Sequence, residues 1–235
     1  EEYKGVFSIE EAIQKDAPVI GEKNNILFSV EINKGNIDEG FKEAKFISVN
    51  TYKTQMTEHA FMQPESTIAN YNAINNTLDL YIATQYPHYD REEVARCLNM
   101  KEENINVINM TIGGAFGARE DINPQCHAAI ASYITKRPVK IIYSREESTI
   151  SHSKRHLMKM YYKTAVKSNG RLCALKARIY ADTGAYASWG INVIRKAAVH
   201  ATGPYEIPNV DIKAYAVYTN NPFCGAMRGF GAAQV

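Results

Sequence analysis

The sequence predicts an α+β fold, and three features carry that prediction. Asn169-Gly170 joins two alternating runs, residues 157–166 and 172–180, and Asn-Gly in that setting is the strongest short hairpin signal. A second hairpin signal surrounds Asn75-Asn76, ahead of a strand over residues 78–84. Helix starts at Asp90 and at Asn123-Pro124 lie apart from these hairpins, so strands and helices segregate as mixed sheets and hairpins with packed helices.

In chain order, Ser8-Ile-Glu-Glu11 reads as a capping box that opens a short helix, which Asp16-Ala17-Pro18 ends. Residues 25–32 form an apolar strand. Residues 36–44 make a turn or two of helix with Ile37, Phe41 and Ala44 on one face. From Lys45 the pattern alternates over about ten residues, as a strand does. Asp90 is placed to cap a helix by accepting the N–H of Glu93, and Val94, Cys97 and Leu98 form its apolar stripe. Asn123-Pro124 opens a helix that runs to Lys136-Arg137 and stops at Pro138. A short buried strand follows over residues 139–143, then the Asn169-Gly170 hairpin. A helical segment around residues 191–200 and a strand over 210–218 complete the order. The organisation expected is a lead-in segment, residues 1–40, and a main domain, residues 41–235.

Composition narrows the function classes. The chain has 235 residues, 45% of them hydrophobic, 22% charged, with a net charge of +2. That balance gives no electrostatic reason to bind nucleic acid, and no apolar run is long enough to span a bilayer. Cysteines 97, 126, 173 and 224 stand singly, without the spacing of a zinc or iron–sulfur site, and read as buried reduced thiols of a cytoplasmic protein. His152 and His156 lie four apart without a third ligand nearby.

The chemistry points to loops. Residues 111–121, Thr-Ile-Gly-Gly-Ala-Phe-Gly-Ala-Arg-Glu-Asp, place three glycines and two alanines within six positions, which leaves the main-chain N–H groups open to a ligand. The run matches neither dinucleotide nor P-loop spacing. A second bare loop, residues 225–231, carries Met227, Arg228 and Phe230, and an arginine between small residues can present its fork of donors to an anion. Gln85 ends the strand over 78–84. Together these offer an amide donor, bare N–H groups, two aromatic rings, a carboxylate and a guanidinium, a set suited to a large anionic cofactor beside a flat polar substrate.

Four stretches carry a resemblance: Ala83-Thr-Gln-Tyr-Pro-His88; Gly113-Gly-Ala-Phe-Gly-Ala-Arg-Glu120; Arg137-Pro-Val-Lys140 with Ser144-Arg-Glu-Glu147; and Tyr218-Thr-Asn-Asn with Gly225-Ala-Met-Arg-Gly-Phe-Gly231. In this order they resemble the molybdopterin-binding large subunit of the molybdenum hydroxylases, the xanthine dehydrogenase and aldehyde oxidase family, nearest its nicotinate dehydrogenase type. The resemblance implies the first half of the molybdopterin-binding domain, with an N-terminal domain ahead of the lead-in segment. It implies a molybdenum–pterin cofactor, as molybdopterin or its cytosine dinucleotide. Iron–sulfur and FAD subunits and a second molybdopterin-domain chain are the implied partners, and a small heterocycle is the implied substrate. It assigns Gln85, Gly114, Ala115, Phe116 and Arg228 to the cofactor, with Gln85, Phe116 and Arg228 nearest the metal. It assigns Glu120, Phe230 and Lys196 to the substrate, Lys196 sharing that position with Arg195. The family's general-base glutamate has no counterpart among these residues, so no residue of this chain is expected to act as the catalytic base.

The family inserts oxygen from water into an electron-poor carbon and passes the electrons to partner redox centres. Glu120 favours N-heterocycles over an aldehyde- or carbon monoxide-oxidising relative, since those substrates offer a carboxylate nothing to bind. A cofactor-free structural paralogue is the alternative outside the enzymes. Ala115 and Ala118 stand where the family has glycine, and their methyl groups are expected to narrow the pocket.

Overall fold

The computed structural model describes residues 4–235, and these divide into two compact units: the described residues up to Thr57 together with Lys154–Val235, and Glu58–Ser153.

The first unit is built on a five-stranded sheet of β1 (Ile26–Lys34), β2 (Phe46–Lys53), β8 (Met158–Val166), β9 (Leu172–Gly184) and β10 (Asn209–Tyr218), in the order β1-β10-β9-β8-β2. The Asn169-Gly170 hairpin joins β8 to β9, with Gly170 at φ +82°, a value that costs an L side chain but not glycine. Helix α6 (Gly190–His200) connects β9 to its parallel neighbour β10 and buries Val193, Ile194, Ala197 and Ala198 against Met158, Ile179 and Ile212. Helix α2 (Ile37–Lys42), capped by Asn36, sets Ile37, Phe41 and Ala44 against Ala165, Cys173 and Ala174. Helix α1 (Ile9–Ala12) starts at Ser8, whose hydroxyl accepts the N–H of Glu11. β1, within residues 1–40, pairs along its length with β10. β2 is an edge strand exposed on both faces, so its alternation marks the pleat and not a buried side. Two short strands, β7 (Lys154–Arg155) and β11 (Cys224–Gly225), pair in parallel.

The second unit carries a four-stranded sheet of β3 (Ser66–Asn72), β4 (Thr77–Ile82), β5 (Ile105–Asn109) and β6 (Val139–Ile142), in the order β5-β4-β3-β6. The β3–β4 hairpin turns through Asn76 at φ +52°, where asparagine is tolerated better than most residues. Helices α3 (Pro87–Leu98) and α4 (Pro124–Thr135) close the core, burying Leu78, Leu80, Ile82, Val94, Ala128 and Ala129. Helix α5 (Arg145–Ser151) is held by a reciprocal capping box between Ser144 and Glu147.

Two expectations are corrected. Helix α3 begins at Pro87, not Asp90, because proline at the first position costs the helix no hydrogen bond. Asp90 therefore lies inside the first turn, where it is 1% exposed and accepts from Gln125 Nε2 at 3.1 Å. Burial pushes its carboxyl up to about 6. Of the cysteines, Cys173 and Cys224 are buried but Cys97 is exposed; all four are free thiols. Among the described residues no helix is long and apolar enough to cross a membrane.

Parallel pairing of β4 with β5 matters most for function. Strands that run the same way end at the same edge, so the segments leaving Ile82 and Asn109 emerge side by side. Asn109 fastens the two exits: its Oδ1 accepts the N–H of Thr84 and its Nδ2 donates to the Thr84 carbonyl, both at 3.1 Å.

Candidate functional site

Gln85 follows the first exit and the loop over residues 111–121 follows the second. The structure joins them directly. Gln85 Oε1 accepts the N–H of Gly117 at 3.0 Å, its Nε2 donates to Glu120 Oε1 at 3.3 Å, and its own N–H donates to the Arg119 carbonyl at 3.0 Å. Gln85, the bare loop and Glu120 are thus one hydrogen-bonded group at one edge of one sheet.

The loop holds an unusual backbone. Gly114 and Gly117 both have φ +103°, and Phe116 between them has φ +56°, a left-handed value that a bulky residue adopts only when its surroundings impose it. Among the described residues, the N–H groups of Gly114 and Ala115 donate to no protein atom. Runs of this kind form concave, anion-accepting arrays of N–H groups. The Phe116 ring is 43% exposed. Ala118, by contrast, is fully buried, so of the two alanine methyls only that of half-buried Ala115 bears on the loop's open side.

Glu120 is half-buried. Loss of solvent, and then the neighbouring carboxylate of Asp121, push its pKa up from the usual glutamate value. A carboxyl group so placed can accept from a donor as the anion or donate to a ring nitrogen when protonated.

Two residues that hold this geometry had no role assigned from the sequence. Arg119 is 4% exposed and donates Nε to the Gly114 carbonyl at 3.0 Å, Nη1 to that of Ala83 at 3.4 Å and Nη2 to that of Gln63 at 2.5 Å. Its guanidinium carbon lies 4.6 Å from the centroid of the Phe61 ring. Gln63 binds the loop from the other side: its Oε1 accepts from Gly113 N–H at 2.6 Å, and its own N–H donates to the Gly113 carbonyl at 3.2 Å. Their sequence signals were an arginine at the end of the glycine- and alanine-rich loop and a glutamine before a proline.

The other candidates belong to the first unit. Gly229, Phe230 and Gly231 have φ values of +98°, +50° and +88°. A Cβ on Gly231 would stand 2.4 Å from the Val193 carbonyl oxygen, so only glycine lets this turn close on α6. Phe230 is half-buried and meets Trp189 edge-on, with centroids 6.3 Å apart. Arg228 is exposed. On α6, Arg195 lies over the Phe28 ring at 4.6 Å, and Lys196 is exposed on the side away from the helix's buried residues. The histidines four apart have separate structural tasks. His152 Nε2 faces buried Glu65 at 3.1 Å. His156 is buried, which lowers its pKa to about 4, and its carbonyl accepts from Gln234 at 2.6 Å.

Comparison with known proteins adds a family description. A family model described as a molybdopterin cofactor-binding domain matches residues 20–235. The chain is 44% identical over its full length to the nicotinate dehydrogenase large molybdopterin subunit of Eubacterium barkeri, covering 55% of that protein. It is 36% identical over 97% of its length to a probable xanthine dehydrogenase subunit from Bacillus subtilis (strain 168), covering 30% of it. The solved aldehyde oxidoreductase of Desulfovibrio gigas matches the whole chain with 26% of its own, at a TM-score of 0.92 and 24% identity, which is a likeness of fold. The chain thus spans about half or less of the length of these curated relatives.

Proposed function

We propose, for a chain that belongs to the molybdopterin cofactor-binding domain family, that it supplies cofactor- and substrate-binding residues to a molybdenum-dependent oxidoreductase acting on N-heterocycles of the nicotinate or purine type. The residues fit such a cofactor: the Gly114 and Ala115 amides point to no protein acceptor, and the positive-φ run that carries them suits an anionic pterin phosphate or an oxo group. Gln85, Gly114, Ala115, Phe116 and Arg228 would hold the cofactor, with the Gln85 amide, the Phe116 backbone and Arg228 nearest the metal. When bound, the molybdenum centre supplies a water-derived oxygen and takes up the electrons of the oxidation. The chain's own residues bind and orient: Glu120 takes the polar edge of the heterocycle, Phe230 offers it a ring, and Lys196 offers a charge.

The observation that carries the reading is the position of Glu120. A half-buried carboxyl tied to Gln85, whose own Oε1 accepts the loop amide of Gly117, serves a substrate with ring nitrogens and is of no use to an aldehyde or to carbon monoxide. No residue here takes the role of general base, which falls to another part of the whole protein. Iron–sulfur and FAD centres on partner chains, a second molybdopterin-domain chain and a cytoplasmic setting belong to the same proposal. The test is a substrate comparison with the whole protein. Nicotinate or a purine should exceed aliphatic and aromatic aldehydes in kcat/KM by about 100-fold or more, the effect of one buried, specific polar contact on discrimination. Aldehyde turnover with inert heterocycles would overturn it.

A further inference from the structure

We propose that Arg119 is the positioning residue of this site, fixing the Gly113–Gly117 amides and Gln85 in a single arrangement; the inference rests on the loop being the cofactor site. One guanidinium joins three separate stretches of backbone through carbonyls of Gln63, Ala83 and Gly114. The Arg119 main chain completes the lock, since its carbonyl accepts the N–H of Gln85 at 3.0 Å and the hydroxyl of Thr84 at 3.3 Å. Of the residues assigned to the cofactor in this unit, Gly114 and Gln85 therefore bond to Arg119 directly, and Gln85 in turn accepts the Gly117 N–H.

The energetics point the same way. A cation held at 4% exposure has surrendered most of its hydration, and among the described residues no carboxylate lies within ion-pair distance of it. Carbonyl dipoles, the Phe61 face and the longer-range field of Glu65 compensate the charge instead. Such an arrangement is a poor way to stabilise a core, where an apolar side chain of equal volume would serve as well. It is a good way to define geometry, because a planar fork sends donors in fixed, divergent directions. A lysine delivers the same charge with all three donors on one nitrogen and does not reproduce the fork's fixed, divergent spread. Gly114 carries the open amide and gives its carbonyl to Arg119, so the clamp sets the plane of the peptide that follows it.

Arg119→Lys in the purified whole protein is the test, read by amide hydrogen exchange. The Gln85 and Gly117 amides should exchange about 100-fold faster than in the wild type, while Leu80 and Val107 in the strands keep their protection. Turnover should follow, with kcat down about 100-fold and KM changed by less than about threefold, as expected from misplaced groups. Wild-type exchange at Gln85 and Gly117 would overturn the proposal. Uniform loss of protection through the sheet would overturn it as well, because Arg119 would then be holding the fold. Should the variant not fold, the wild type supplies a second reading: the Arg119 Nε–H must itself exchange slowly, and fast exchange rejects the clamp. Exchange needs no cofactor, so a wild type that binds no molybdenum would sink the functional reading and leave this one to be judged separately.

Discussion

Glu120→Ala lowers kcat/KM for N-heterocycles by about 100- to 1000-fold, the usual effect of deleting one charge-stabilising contact in a water-poor site, and leaves the molybdenum content unchanged. The separation follows from the geometry. Among the described residues the Glu120 side chain bonds to Gln85 Nε2, and its backbone N–H stays on the Gly117 carbonyl whatever the side chain. Gln85 keeps its bonds to the Gly117 amide and the Arg119 carbonyl when the side-chain contact is lost. Glu120→Gln should lose less, since an amide still offers an acceptor and a donor. The pH profile separates the two variants further. Burial and Asp121 raise the Glu120 pKa, so its protonated form persists to higher pH than that of an ordinary glutamate. The wild-type profile should carry a limb displaced upward from the normal carboxyl range, and that limb should vanish in Glu120→Gln. Unchanged heterocycle turnover in Glu120→Ala would remove its substrate role.

Gly114→Ala empties the site without unfolding the unit. At φ +103° an L residue is strained wherever it is placed, and the new methyl would meet Phe61 Cβ at 3.0 Å. Phe61 cannot give way: it is 1% exposed and lies beneath the Arg119 guanidinium. The loop must move instead, and with it the open amides of Gly114 and Ala115. Cofactor affinity should fall at least about tenfold, the effect of losing about 1.4 kcal/mol of binding, and molybdenum per chain should fall with it, with the far-ultraviolet circular dichroism of the sheets retained. Full metal content in a folded Gly114→Ala protein would show that these amides do not hold the cofactor.

Much of the architecture was legible because it rests on local chemistry. Asn169-Gly170 predicts its hairpin, since glycine takes the positive φ that the turn requires of Gly170, and Asn123-Pro124 predicts the start of α4. Pro87 moved the start of α3 three residues earlier than the capping potential of Asp90 suggested, and the true partner of Asp90 is Gln125, 35 residues away. The loop over 111–121 announces itself by composition, and the Gln85–Gly117–Glu120 contacts lie where strand ends converge. What the sequence could not reveal is the clamp. Arg119 acts on carbonyl oxygens, which every residue possesses, so its partners leave no trace in residue type. The parallel pairing of β4 with β5 is hidden for the same reason: it is a property of the crossover through α3 and not of either strand's pattern. Nor does any shift in composition mark Thr57 and Lys154, where the chain leaves the first unit and returns to it.

The measurement that bears most directly on the assignment is the ratio of molybdenum to protein in the whole enzyme, purified from cells that make the cofactor. About one metal per chain, with a pterin released on denaturation, is the expected result. An intact, folded protein from the same cells that carries neither metal nor pterin would contradict it.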